Sequence, residues 1–216
     1  MGGGFGPNLA WGDHVVVVGL QQTGKSTLAR SLVRGARRVV YFDPKGDYAR
    51  ELPRARVVAP AELEGLDGTA KYLHLVVLAG RDPDVDIADE LRYTVRKLRE
   101  WSRGKGRGIV LVMDELHLYS ASAGAQLRGL MANGHGIAPD DGGIVTVLVS
   151  QRGVDLPLGC RALASRAYSL AQVHPRDLER LEDEFGPEFR ADAEAWEPGA
   201  EPAYWERRTF WRTSVR

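Results

Sequence analysis

The chain has 216 residues, enough for one domain with a sizeable core, and its 44% apolar share excludes a wholly disordered polymer. Its 29 basic and 29 acidic residues cancel, so global charge gives no argument for nucleic acid, although charge can act locally. The single cysteine, Cys160, excludes an intrachain disulfide and a thiolate metal cage; no apolar stretch reaches bilayer length, and glycine-rich residues 1–5 do not read as a signal peptide.

In chain order, short apolar runs alternate with segments of helical period, the pattern of a mostly parallel sheet flanked by helices. His14–Val18 reads as a strand and residues 25–33 as the helix after it. Arg38–Phe42 is a second strand, ending in Asp43-Pro44; Arg56–Val58 and residues 73–78 follow. Residues 84–101 carry Val85, Ala88, Leu91, Val95 and Leu98 in steps of three and four, an amphipathic helix. Ile109–Met113 and residues 144–149 are buried strands, with a helix expected over 123–132. Residues 166–170 read as a last core strand, and Pro175–Phe185 as a helix stopped by Gly186-Pro187. We expect a flexible segment over 1–10, one α/β domain over 11–195, and a short C-terminal appendage, 196–216, packed on or extending that domain.

Between the first strand and its helix stands Gly19-Leu20-Gln21-Gln22-Thr23-Gly24-Lys25-Ser26, a GxxxxGKS phosphate-binding loop, with Thr27 next. Its glycines let successive N–H groups face phosphates, and the helix N-terminus adds partial positive charge. Lys25 can reach the β- and γ-phosphates, and the Ser26 hydroxyl can ligate magnesium. The strand Ile109–Met113 delivers Asp114 and Glu115, one carboxylate to hold magnesium and a second to polarise an attacking water. Ser150-Gln151-Arg152 ends another strand, where Gln151 can orient water near the γ-phosphate. No Asn-Lys-x-Asp guanine-reading signature appears, which favours ATP.

With those motifs in hand, Phe42-Asp43-Pro44-Lys45-Gly46-Asp47-Tyr48 resembles the segment after the second strand in the HerA/FtsK superfamily of P-loop ATPases, ring-forming motors with a RecA-like fold. The Asp114-Glu115 pair, the Ser-Gln-Arg strand end, and Ser165-Arg166-Ala167-Tyr168-Ser169-Leu170 are similar too, so the resemblance runs from about His14 to Leu170. The short length looks most like the genome-packaging ATPases of tailless, internal-membrane viruses.

The resemblance implies a magnesium-dependent ATPase in a homo-oligomeric ring, expected to be a hexamer, that moves double-stranded DNA. It also implies a cytoplasmic or virion-associated setting and a capsid or membrane-protein partner at a portal vertex. Conjugation or phage-export ATPases are the nearest alternatives; a nucleotide or small-molecule kinase and a non-hydrolysing assembly factor are alternatives of other classes. The resemblance gives Asp43 a place in the magnesium or water shell, whereas Asp43-Pro44 alone reads as a turn. Where the superfamily carries a basic Gly-Arg element this chain has Asn133-Gly134-His135-Gly136, leaving Arg128 and Arg166 as candidate arginine fingers.

Outside the site, residues 92–107 hold Arg92, Arg96, Lys97, Arg99, Arg103, Lys105 and Arg107 against one acid, Glu100. The loop 102–108 within that run is either a grip on phosphate backbones or a solvated connection. Residues 204–212 interleave aromatics with arginines, as a single-strand stacking surface or as an edge strand on the core. Residues 134–143 form a loop long enough to be functional.

Overall fold

The computed structural model describes residues 8–10, 12–104, 106–133 and 142–207. Eight strands form one sheet: β1 (His14–Val18), β2 (Arg38–Phe42), β3 (Arg56–Val58), β4 (Leu73–Val77), β5 (Ile109–Met113), β6 (Ile144–Ser150), β7 (Arg166–Ser169) and β8 (Ala203–Glu206). The order is β3-β4-β2-β5-β6-β1-β7-β8. Every pairing is parallel except that of β7 with β8. The central strands carry valine, isoleucine and leucine on both faces because helices and loops cover both. Val16, Val18, Val40, Phe42, Leu111, Met113 and Leu148 face one core. Val15, Val17, Val39, Tyr41, Val110, Val112 and Val147 face the other.

Among the described residues, seven α-helices surround the sheet: α1 (Lys25–Leu32), α2 (Asp47–Glu51), α3 (Ile87–Trp101), α4 (Ser120–Asn133), α5 (Leu158–Leu163), α6 (Pro175–Phe185) and α7 (Pro187–Glu194). Helix α1 buries Ala29 and Leu32 in the second core. Helix α3 sends Ala88, Leu91, Val95, Leu98 and Trp101 into the first, as its apolar spacing requires. It starts later than its apolar pattern does, because Asp86 caps it by accepting from the Ala88 amide. Gly186, at φ 95°, ends α6 as expected, and Pro187 then opens α7.

The C-terminal segment extends the sheet. Strand β8 runs antiparallel to β7, with Tyr204 stacked on Tyr168 (5.0 Å between ring centroids) and Trp205 on Phe185 (5.0 Å). This is the edge-strand alternative; Phe210, Trp211 and Arg212 lie outside the described residues, as do Lys105 and His135. Among the described residues, no helix is long and apolar enough to cross a membrane.

Candidate functional site

The parallel strands end at one edge of the sheet, and β6 lies between β1 and β5. That order sets Gln151, at the end of β6, between the phosphate loop after β1 and the Asp114-Glu115 pair after β5. The C-terminal edge of an open α/β sheet is where ligands gather in this architecture.

The phosphate loop is held without filling its interior. The Leu20 amide donates to the carbonyl of Ala171 at 3.0 Å, and the Thr23 hydroxyl donates to the carbonyl of Leu20 at 2.8 Å. Gly24 has φ 95°, which only glycine adopts freely. A Cβ on Gly19 would stand 2.9 Å from Thr23 Oγ1 and 3.0 Å from Leu170 Cβ, so the loop closes only around glycine there. Gln21, Gln22, Gly24 and Thr27 are exposed around the loop. Lys25 is buried, and its ammonium donates to the Leu20 carbonyl at 2.7 Å. Burial holds that ammonium below the usual lysine range, opposed by Asp114 and Glu115 and reinforced by nearby Lys45.

Ser26 Oγ donates to Asp114 Oδ2 at 3.0 Å. A hydroxyl and a carboxylate meeting at a phosphate loop are the hard oxygen donors that magnesium takes, and they fit that ion. Among the described residues no group of three or more His, Cys, Asp or Glu is arranged to hold a metal ion, so an ion here needs water and phosphate oxygens to complete its shell. Burial pushes the Asp114 carboxyl above its ordinary value, against the Glu115 amide at 2.7 Å and the Ser26 hydroxyl. Tyr119 donates its hydroxyl to the Asp114 carbonyl at 2.9 Å, fixing the end of β5. Tyr48 is fully buried beside Ser26 and Asp114 without a well-formed hydrogen bond, and burial drives its phenol well above the usual range.

Glu115 occupies left-handed backbone space, φ 51°, which is uncommon for a residue with a long side chain. Two groups hold its carboxylate there: Lys45 Nζ is 2.7 Å from Oε1, and Gln151 Nε2 donates to Oε2 at 3.0 Å. His117 Nδ1 stands 3.1 Å from Oε2 without a formed hydrogen bond. Gln151 is itself positioned by buried Gln172, whose amide donates to the Gln151 carbonyl at 3.2 Å. Lys45, His117, Gln172 and Tyr48 were not read as site residues from sequence. Of these, Lys45 and Tyr48 lay in a segment already singled out, residues 42–48.

The structure gives Asp43 the turn role. It is buried, and its two oxygens accept the amides of Gly46 (2.8 Å), Asp47 (3.1 Å) and Ala49 (3.1 Å). With its carboxylate committed to the start of α2, Asp43 is not brought into a metal shell, and Ser26 and Asp114 remain the candidate ligands. Arg166 is likewise not brought to the site. It pairs in register with Val15, at the opposite end of the sheet from the loop that follows Val18. Its guanidinium binds Asp13 at 2.7 Å and the carbonyl of Asn8 at 2.7 Å, pinning the N-terminal segment. Arg128 stands exposed on α4 with its side chain packed over Gly159, outside the cluster around Glu115.

Of the basic run, Arg92, Arg96, Arg99 and Arg103 line an open groove between α3 and α4. The loop after α3 is a clamped connection at the far edge of the sheet: fully buried Arg38 donates to the carbonyls of Trp101 and Arg107, and Gly143 donates to Ser102.

No protein-family model and no curated protein matches the sequence. Solved structures do match the fold. The genome-packaging NTPase B204 of Sulfolobus turreted icosahedral virus 2, in complex with AMP, superposes with a TM-score of 0.65 at 17% identity, over 90% of this chain and 92% of that one. VirB4 of Thermoanaerobacter pseudethanolicus gives 0.61 at 11% identity, over 91% and 89%. ATPases 2 and 3 of Thermomonospora curvata EccC, in complex with a signal sequence peptide, give 0.56 at 18%, over 89% of this chain and 37% of that one. The chain has the fold of these neighbours, which include an NTPase and a pair of ATPase domains.

Proposed function

We propose that this chain is a magnesium-dependent ATPase that moves double-stranded DNA, of the kind that packages viral genomes. One observation carries the hydrolytic part. A second carboxylate, Glu115, stands beside Asp114 and is held by Gln151 from the strand between β1 and β5. Binding alone needs only the loop and a metal ligand; a positioned base and a water-orienting amide belong to hydrolysis.

In this reading the amides of the phosphate loop and Lys25 grip the phosphates. Ser26 and Asp114 would hold magnesium, which would supply charge neutralisation at the phosphates when bound. Glu115 takes a proton from water as its oxygen bonds to the γ-phosphorus and the bond to the bridging oxygen breaks, releasing ADP. Gln151 orients that water and reports on the phosphate. The genome-packaging part rests on the likeness to B204, the DNA-packaging ATPase of its virus, and on the arginine groove between α3 and α4. It extends to a homo-oligomeric ring of six subunits, with Arg128 available to a neighbour, and to a portal-vertex partner in the host cytoplasm or virion.

A second reading, transfer or secretion by the same fold, is favoured by the likeness to VirB4 and EccC. A kinase lacks support: the Arg50–Arg56 region that would form its lid adjoins β3, at the far edge of the sheet from β1. The test is phosphate release from MgATP by the wild type and by Glu115→Gln. The variant should bind ATP and lose about 10²- to 10⁴-fold in turnover. Full turnover in the variant, or phosphate transferred to a nucleoside monophosphate in place of free phosphate, would refute the mechanism.

A further inference from the structure

An arginine finger supplies positive charge to a phosphoryl group in transfer from a neighbouring subunit, and within one chain neither candidate arginine reaches its own site. Arg166 is pinned to Asp13, and Arg128 lies over Gly159. A third arginine near the site, Arg152, is taken by buried Asp177 at 3.0 Å. Lys45, by contrast, is at the site, 2.7 Å from Glu115 Oε1 and within electrostatic reach of Lys25.

The chain builds a rigid support for that lysine. Asp43 ties down the amides of Gly46, Asp47 and Ala49, and Gly46 turns at φ 79°. Buried Tyr48 anchors the next position against Tyr41, with ring centroids 4.6 Å apart. A turn fixed on both sides of Lys45 delivers its side chain to the C-terminal edge of the sheet. The Lys45 side chain remains about a third exposed, at 37%, so its head has room to move, whereas that of Glu115 is 13% exposed.

We propose that Lys45 is a second phosphate-contacting cation of this site, held by Glu115 in the ligand-free protein and drawn to the transferred phosphoryl group when ATP enters. The inference rests on the hydrolytic reading above. Lys45 Nζ stands 2.7 Å from Glu115 Oε1, so that oxygen is occupied while the pair lasts. The γ-phosphate carries more negative charge than Glu115 and competes for the ammonium. Its arrival therefore frees Glu115 to accept the water proton. It also sets Lys45 where charge develops as the water oxygen bonds to phosphorus and the bridging oxygen departs with ADP. Lys45 keeps its proton throughout. The base is thus released only when there is a phosphate to attack.

The test uses the full chain, with Lys45→Ala and Lys45→Arg, and two readouts. One is steady-state turnover. The other is the affinity for fluorescent ADP with and without aluminium fluoride, which mimics the phosphoryl group in transfer. Lys45→Ala should hold ADP within about threefold of wild type but lose the fluoride-dependent tightening, and its kcat should fall about 10²- to 10³-fold. Lys45→Arg should recover part of both. Wild-type kcat and fluoride response in Lys45→Ala would overturn the proposal, and so would an equal loss of ADP affinity and turnover, the mark of a merely structural lysine. A wild-type protein that binds ATP without turning it over would instead sink the hydrolytic reading on which the proposal rests.

Discussion

Replacing Lys25 by methionine separates two effects of one buried ammonium. In the ligand-free protein Lys25 is buried, its pKa is lowered by that burial, and its bond is to a loop carbonyl that water can reach. A base whose folded-state pKa is depressed destabilises the fold at pH values below that pKa, and the penalty fades as pH climbs through it toward 10.5. The ligand-free variant should therefore be at least as stable as the wild type at neutral pH, with the difference vanishing under alkaline conditions.

With nucleotide the sign reverses. Charge-assisted hydrogen bonds are worth about 1.5–3 kcal/mol, so losing the lysine weakens phosphate binding about 10- to 150-fold. At a concentration 100 times the wild-type Kd, a non-hydrolysed ATP analogue with magnesium stabilises the wild type by about 2.7 kcal/mol, or about 5–11 °C in Tm for a chain of this size. A 100-fold weaker variant keeps only about 0.4 kcal/mol, a shift of about 1 °C. Thermal melts with and without the analogue read both effects. An undiminished nucleotide shift in Lys25→Met would refute the assignment of the phosphate site.

Three further outcomes follow from the geometry. Asp114 has a raised pKa, so the folded protein binds its proton more tightly than the unfolded chain does. Without metal or nucleotide, stability should fall as pH rises from 3.8 through that raised pKa, and Asp114→Asn should flatten this segment in melts across pH. Gln151→Ala removes one hydrogen bond to Glu115 and should lower turnover about tenfold with nucleotide affinity retained, read by kinetics beside a binding titration. Arg166→Ala leaves Asp13 without its ion-pair partner and should cost about 1–3 kcal/mol in denaturant melts, with turnover per folded molecule unchanged.

The parallel strands were legible because burial on both faces gives unbroken runs such as Val15–Val18, and the phosphate loop because its spacing encodes its own geometry. Asp114, Glu115 and Gln151 were legible as strand ends, and strand order alone brings Glu115 and Gln151 together. What the sequence hid depends on contacts between distant residues. The grip of Lys45 on Glu115, and of Gln172 on Gln151, has no spacing signature. Asp43 was ambiguous because a carboxylate before a short helix caps amides as readily as it binds a metal; three hydrogen bonds decide for the cap. Arg166 drew attention through its motif, but a residue that begins a strand parallel to β1 sits at the end away from the phosphates.

With Glu115 and Gln151 at the phosphate loop, hydrolysis coupled to DNA is the proposed activity. The most direct measurement is phosphate release from MgATP with and without double-stranded DNA, on a sample whose oligomeric state is sized in the same buffer. The account predicts turnover by an assembled ring that rises when DNA is added. ATP bound tightly without phosphate release, with DNA or without it, would contradict it.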